Sequence, residues 1–337
     1  MPPDVRVQLG PLALRNPLIC GSGEHTATLE GLTGAIDAGA AAAIAKSANE
    51  TEAGRRQAAA TAVTFIDAAH HEVEPDGTAS IFNRSGLVEQ DWPRWLETLA
   101  QADEHARRQD AYIAASVIPG DTDELPSLAA DVQRAGLRWL ELNLSAPHAG
   151  EAEAGAIERP SDAARVQQLT RAVRGVTSIP LSVKLPAEAA DVVALARAAH
   201  EGGADAIVLT GRHMGFLPDL ETRRPMLGTF GAISGRWSLP LALRWVAKTR
   251  RALGPELAIV GTNGARDGGD VARFLLAGAH AVQVATAVIV EGPSAITRML
   301  VELSAYLERQ GVDAREIIGE AADATISFAE VAMRSRS

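Results

Sequence analysis

Cysteine is almost missing from this chain. The one thiol among 337 residues, Cys20, excludes an internal disulfide framework. It also excludes any cysteine-ligated zinc or iron–sulfur site built within the chain, which fits a reducing cytoplasm. Long apolar runs are missing too: no stretch reaches the ~18 residues needed to span a bilayer. The first residues, MPPDVRVQLGPLALRNP, lack a charged start followed by an apolar run, so no signal peptide is expected. Positive charge is in deficit. A formal net charge of −10 argues against nucleic acid or an anionic membrane as partner. No linker, low-complexity tract or short internal repeat divides the sequence.

What is present points to a large core, since 47% of the residues are apolar. Short runs dense in Val, Ile and Ala recur along the chain: 17-PLIC, 41-AAAIA, 62-AVTFI, 112-YIAASVI, 138-RWLELN, 179-IPLSVKL, 205-DAIVL, 257-LAIVG and 280-HAVQVA. They are apolar at nearly every position, as parallel strands buried on both faces are. Amphipathic stretches lie between them, among them 123-DELPSLAADVQRAG, 161-SDAARVQQLTRAVRG, 188-EAADVVALARAAHEGG and 267-DGGDVARFLLAG. Ser161 and Asp267 suit N-caps, and Gly136, Gly175, Gly202 and Gly278 suit helix ends. About eight strand–helix alternations predict an α/β fold, a (β/α)8 TIM barrel with insertions at the strand C-terminal ends, over residues 1–337 as a single domain. An open doubly wound sheet is the alternative. Nine candidate strands exceed eight, so 62-AVTFI is assigned outside the barrel.

Two excursions stand apart. Residues 46–90 carry KSANETEAGRRQ and HHEVEPDG, polar and without helical period. Residues 210–237, TGRHMGFLPDLETRRPMLGTFGAISGRW, form a long loop whose Phe216, Phe230, Trp237 and glycines predict an ordered, functional segment. In a barrel, function sits at the C-terminal ends of strands. Those ends carry Gly21, Ser22 and Gly23; Lys46 and Ser47; Asn143 and Ser145; Lys184; Thr210 to His213; Thr262, Asn263 and Gly264; and Ala285 and Thr286. Lysine is seldom buried unless paired. The lysines in 44-IAKS and 182-SVKL therefore mark either an anionic or electron-rich ligand, or a structural salt bridge. The last two turns, 259-IVGTNGARDGGD and 282-VQVATAVIVEGP, offer small residues near helix starts, the usual place for a phosphate in such barrels. Elsewhere Cys20 reads as core, His70 and His71 as solvated without a convergent metal-ligand set, and Trp92 and Trp95 as helix packing.

The series NPLICGSG, AKSAN, FNRSGL, ELNLSAPH, SVKLP, GGADAIVL, FGAISG and VGTNGARDGGDVARFLLAGAHAVQVATA resembles dihydroorotate dehydrogenases and the pyrimidine-reducing part of dihydropyrimidine dehydrogenase. The match runs over roughly residues 10–295 in order. It implies an FMN-containing barrel that passes hydride between the flavin and a C–C bond of a cyclic amide. By resemblance, Gly21, Ser22, Gly23 and Ser47 line the flavin and Lys46, Lys184 and Asn143 bond it. Gly231, Ser234 and Gly235, with Asn263, Gly264, Ala285 and Thr286, hold its phosphate tail. Asn83, Asn143 and Ser145 face the substrate ring, to whose imide edge an amide offers both donor and acceptor.

The departures are as informative. The family carries a cysteine or serine as proton acceptor where this chain has Ala146. The asparagine that grips the substrate after the sixth strand is replaced within 210-TGRH, where Gly211 and Arg212 stand. His148 stands where the family's final asparagine does, and 149-AGEAEAGAIERPSD offers Glu151, Glu153 and Glu158 in place of a cysteine. Three readings follow. Glu158, His148 or His213 moves the proton, with Arg212 polarising or selecting the substrate. Alternatively the reduced flavin reacts with oxygen or water supplies the proton. Or the chain is a degenerate FMN-binding subunit. The reading adopted is a cytoplasmic FMN-dependent oxidoreductase of a small cyclic amide or conjugated acid other than dihydroorotate, binding no metal. A homodimer is expected by analogy, and the electron partner is left open.

Overall fold

The structure is a computed structural model, and it describes residues 2–49, 60–120, 124–145, 162–327, 330, 331 and 333. A hairpin of β1 (Val7–Leu9) and β2 (Leu12–Leu14) opens the chain. Leu9, Leu12 and Leu14 are buried. Just beyond it, Arg15 donates to the carbonyls of Ile36, Ala40 and Gln109, which fastens the hairpin across the ends where two barrel strands begin.

Eight parallel strands close into a barrel in chain order: β3 (Leu18–Cys20), β4 (Ala42–Ile44), β7 (Tyr112–Val117), β8 (Leu140–Asn143), β9 (Leu181–Lys184), β10 (Ala206–Leu209), β13 (Ala258–Thr262) and β14 (Ala281–Val284). The expected (β/α)8 architecture is therefore the observed one, and the open sheet is not. Their side chains are buried on both faces, because helices cover the outside and the barrel fills its own interior. Cys20 is fully buried in β3, and burial pushes its thiol up to about 12.

The helices start where acceptor side chains meet free N–H groups. Thr28 caps α1 (Leu29–Asp37) and Asp91 caps α2 (Trp92–Arg107). Asp162, Asp191 and Asp267 cap the helices Ala163–Arg174, Val192–Glu201 and Gly268–Leu276. A carboxylate at that end also meets the positive end of the helix dipole. Asp162, not the Ser161 expected from sequence, makes the described cap on its helix, and Ser161 lies outside the described residues. Gly175 and Gly202 end their helices, while Gly136 and Gly278 follow one residue later at positive φ. Trp95 is buried in α2 and Trp92 donates to Asp131 at 3.0 Å, so both pack the helix as expected.

The two excursions are one object. β5 (Ala62–Ile66), β6 (Ser80–Arg84), β11 (His213–Gly215) and β12 (Gly231–Ser234) form an antiparallel sheet in the order β11-β12-β6-β5. Segment 62-AVTFI lies outside the barrel as expected, and 210–237, expected as an ordered loop, is ordered but contains the strand pair β11 and β12. The two excursions join through Ala232↔Asn83, Ile233↔Phe82 and Ser234↔Ile81. Ile66, Phe82 and Leu227 give this sheet a small core of its own. Phe216 and Phe230 meet at its rim in a tilted pair with ring centroids 5.3 Å apart. The described residues include no helix long and apolar enough to cross a membrane.

Candidate active site

The strand C-termini and the antiparallel sheet enclose a cavity of about 500 Å3, within the roughly 300–1,000 Å3 typical of cofactor and ligand sites. Gly21, Ser22, Gly23, Lys46, Ser47, Asn143, Ser145, Lys184 and Arg212 line its barrel side. Asn83, Gly231 and Ser234 line it from the sheet. Asn263, Gly264, Ala285 and Thr286 close the end beside the last two turns. Most of the strand-end residues expected from sequence are thus brought together, but Gly211, His213 and Gly235 do not line the cavity. Gly235 sits at the foot of the turn Arg236–Ser238, its carbonyl accepting from Ser238 Oγ at 2.8 Å.

The small-residue end is shaped by backbone. Asn263 adopts φ +80° and Gly264 φ +90°. Asn263 Nδ2 holds the turn by donating to the carbonyl of Thr210 at 3.1 Å. A Cβ on Gly264 would collide with the backbone N of Leu239, at the start of the helix Leu239–Leu253, so glycine is required both by its φ and by that approach. Ser234 and Thr286 hydroxyls meet at 3.0 Å across this end.

The lysines are answered from within the protein. Lys184 Nζ donates to Gln283 Oε1 at 3.0 Å, and Gln283 Nε2 donates to Glu141 Oε2 at 2.6 Å. Because β8 and β14 face each other across the ring of strands, this chain of bonds crosses the barrel interior. Glu141 is fully buried. Lys46 Nζ donates to Glu24 Oε1 at 3.0 Å and to Ser85 Oγ at 2.8 Å, and Ser85 Oγ donates to the same Glu24 oxygen at 2.6 Å. Burial lowers the pKa of both lysines, against the pull of Glu24 on Lys46 and of Glu141 on Lys184. Burial also opposes ionisation of Glu24. The charges of Lys46 and Arg212 and the hydrogen bonds from Ser85 and Lys46 outweigh it and hold that pKa at about 2.

At the ring end Arg212 donates to Asn83 Oδ1. Asn143 Nδ2 donates to Ser47 Oγ at 3.3 Å, while its Oδ1 accepts from the Ser145 backbone N and from Ser145 Oγ at 2.7 Å. His213 lies in β11 with its ring 5.4 Å from that of Trp237 and does not line the cavity. Exposed His70 and His71 stand apart from the site. Ala146, His148, Glu151, Glu153 and Glu158 fall outside the described residues. The polar side chains Glu24, Ser85, Glu141 and Gln283 are not among the residues expected from sequence. Glu24 follows 21-GSG directly, Ser85 lies within FNRSGL, and Glu141 and Gln283 are polar residues inside the apolar strands LELN and AVQV.

The donor set suits a flavin mononucleotide. Glycines at one wall leave room for a flat ring, buried ammonium and amide groups meet its polar edge, and hydroxyls with a glycine turn suit a phosphate. The family model for dihydroorotate dehydrogenase matches residues 5–307. The catalytic subunit of dihydroorotate dehydrogenase B (NAD(+)) from Pyrococcus furiosus is 31% identical over 318 residues, covering 94% of this chain and 98% of the relative. The corresponding subunit from Methanothermobacter thermautotrophicus is 30% identical over 316 residues, 93% of this chain and 96% of the relative. Dihydroorotate dehydrogenase A (fumarate) from Lactobacillus helveticus is 34% identical over 214 residues, 63% and 68% of the two chains. With a barrel, a strand-end cavity and a match running nearly its full length, this chain belongs to the dihydroorotate dehydrogenase family of FMN-binding oxidoreductases.

Proposed function

We propose that the chain, as one FMN-binding unit over residues 1–337, oxidises or reduces a C–C bond of a small cyclic amide or conjugated acid other than dihydroorotate. The observation that carries this reading is Arg212 bonded to Asn83 inside the cavity, where the family resemblance calls for a substrate-gripping asparagine nearby. A guanidinium fork and an amide select a different polar edge from a pair of amides. When bound, FMN supplies the hydride acceptor or donor and takes on negative charge as it is reduced.

In this reading Gly21, Ser22, Gly23 and Ser47 receive the flavin ring, and Lys46, Lys184 and Asn143 bond its polar edge. Lys184 and Lys46 favour the reduced cofactor because a fixed cation stabilises charge where it develops. Gly231, Ser234, Asn263, Gly264, Ala285 and Thr286 would hold the phosphate, with Gly235 shaping the adjoining turn. Asn83, Asn143, Ser145 and Arg212 orient the substrate. Ala146 carries no proton, so Glu158 or His148 takes that role in a site that must still exchange one. The sequence holds no cysteines for a cluster, so electrons pass to or from another protein, a nicotinamide, a quinone or a small oxidant. A cytoplasmic homodimer is the assembly proposed.

The test is an absorbance spectrum of the purified protein followed by anaerobic screening of cyclic amides and conjugated acids for flavin bleaching. A flavin spectrum with bleaching by such a compound is the expected result. Colourless protein that takes up no FMN overturns the reading, and oxidation of dihydroorotate at an ordinary enzymatic rate overturns the exclusion of that substrate.

A further inference from the structure

Lysines at two strand ends call for an anion, and the structure shows where it comes from. The carboxylate of Glu24 sits inside the cavity against Lys46 Nζ and Ser85 Oγ, with Arg212 near enough to act on it electrostatically. Lys184 is joined to Glu141 through Gln283. Arg84, the remaining cation of the lining, donates to the carbonyls of Ala60 and Leu227. Each cation at the ring end therefore already has an acceptor belonging to the protein.

We propose that Glu24 is a specificity-determining residue that reserves the ring end for uncharged cyclic imides or ureides and turns away ligands bearing a carboxylate. The proposal rests on the reading of the previous subsection and narrows its substrate class. Two physical arguments carry it. A ligand carboxylate entering beside Glu24 would meet a like charge in a half-buried site, where such repulsion is poorly screened. To reach Lys46 it would also have to break the ammonium's bonds to Glu24 and Ser85, losing as many charge-assisted bonds as it gains. An uncharged ring faces neither cost. Lys46 and Ser85 both meet Glu24 Oε1, and among the described residues no donor meets Oε2. An imide N–H can donate to that oxygen while the Arg212 fork donates to the adjacent carbonyl, an acceptor and a donor matched to the two atoms of an amide edge.

The test uses FMN-loaded protein and a matched pair of ligands, uracil and orotate, which share a ring and differ by one carboxylate. Dissociation constants are measured by isothermal titration calorimetry, so the readout is binding and not turnover. Wild-type protein is expected to bind uracil at least tenfold more tightly than orotate, about 1.4 kcal/mol. Glu24→Gln should tighten orotate binding about tenfold and weaken uracil binding about tenfold or more, because the imide N–H loses its carboxylate acceptor, so the wild-type preference is lost or reversed. Glu24→Asp, which keeps the charge, should retain the wild-type preference. If Glu24→Gln fails to fold, the wild-type ratio and the aspartate variant still decide. Orotate binding as tight as uracil in wild type, an unchanged ratio in Glu24→Gln, or binding of neither ring overturns the proposal. Protein that holds no flavin sinks the functional reading itself, whereas flavin-loaded protein with the wrong ligand ratio sinks only the role of Glu24.

Discussion

Arg212 donates to Asn83 Oδ1, tying the segment after the sixth barrel strand to β6, one of the two inner strands of the antiparallel sheet. The bond joins the two walls of the cavity, where the proposed function puts the substrate ring. Arg212→Ala is expected to raise KM for ring substrates about 10–100-fold, since hydrogen bonds to charged groups are worth roughly 1.5–3 kcal/mol. Flavin content should not change. Steady-state kinetics with a flavin absorbance check decides this, and an unaltered KM would place Arg212 outside recognition.

A second prediction concerns the bonds that cross the barrel. Lys184→Met removes the cation that Glu141 reaches through Gln283, and a buried charge left without its counter-charge costs up to about 3–5 kcal/mol. Urea unfolding should show that loss, and the double substitution Lys184→Met with Glu141→Gln should recover most of it. Equal stability of the single and double variants would mean that the two groups act independently.

Gly264→Ala should cost at least about 2 kcal/mol, because φ +90° is strained for alanine and the methyl has no space beside Leu239. Thermal unfolding measures the loss, and the equilibrium constant for FMN should weaken in parallel. The turn is part of the phosphate end in the functional reading.

Acid should destabilise the protein earlier than its carboxylates alone would require. Burial lowers His25 to about 4, with Glu24 resisting and Lys46 reinforcing the shift; burial and Arg250 lower His280 to about 4. A histidine whose folded pKa lies below the unfolded ~6.5 contributes full stability above pH 6.5 and loses it as pH falls toward 4. Each is expected to remove on the order of 2 kcal/mol between pH 8 and pH 5. Denaturant unfolding at these two pH values, in wild type and in His280→Gln, measures the loss. A variant as acid-sensitive as wild type would exclude His280.

The barrel was legible because its strands are apolar on both faces, so 205-DAIVL and 257-LAIVG stand out without any partner in view. The cavity was legible because Lys46 and Lys184 stand at the C-terminal ends of apolar strands. Less accessible was whatever depends on pairing across distant segments. Asn83 and Gly231 stand out as motif residues, yet 80–84 and 231–234 carry no period that announces strands, and their pairing spans about 150 residues. Gly235 falls outside the lining because it packs against Ser80 and Trp237 at the start of the turn Arg236–Ser238. Glu24 was hidden by its setting, since an acid after a glycine turn is usually solvated. Here Lys46, Ser85 and Arg212 converge on it from three other segments.

The antiparallel sheet carries a wider consequence. One wall of the chamber is made of barrel strand ends, whose positions the whole scaffold depends on. The opposite wall is made of two detours that the scaffold could spare. Change can therefore accumulate in the detours and alter which molecule is admitted, while the redox machinery beneath stays in place. A scaffold built this way can admit a new molecule by redecorating the ceiling from which Asn83 hangs, without disturbing the strand ends below it.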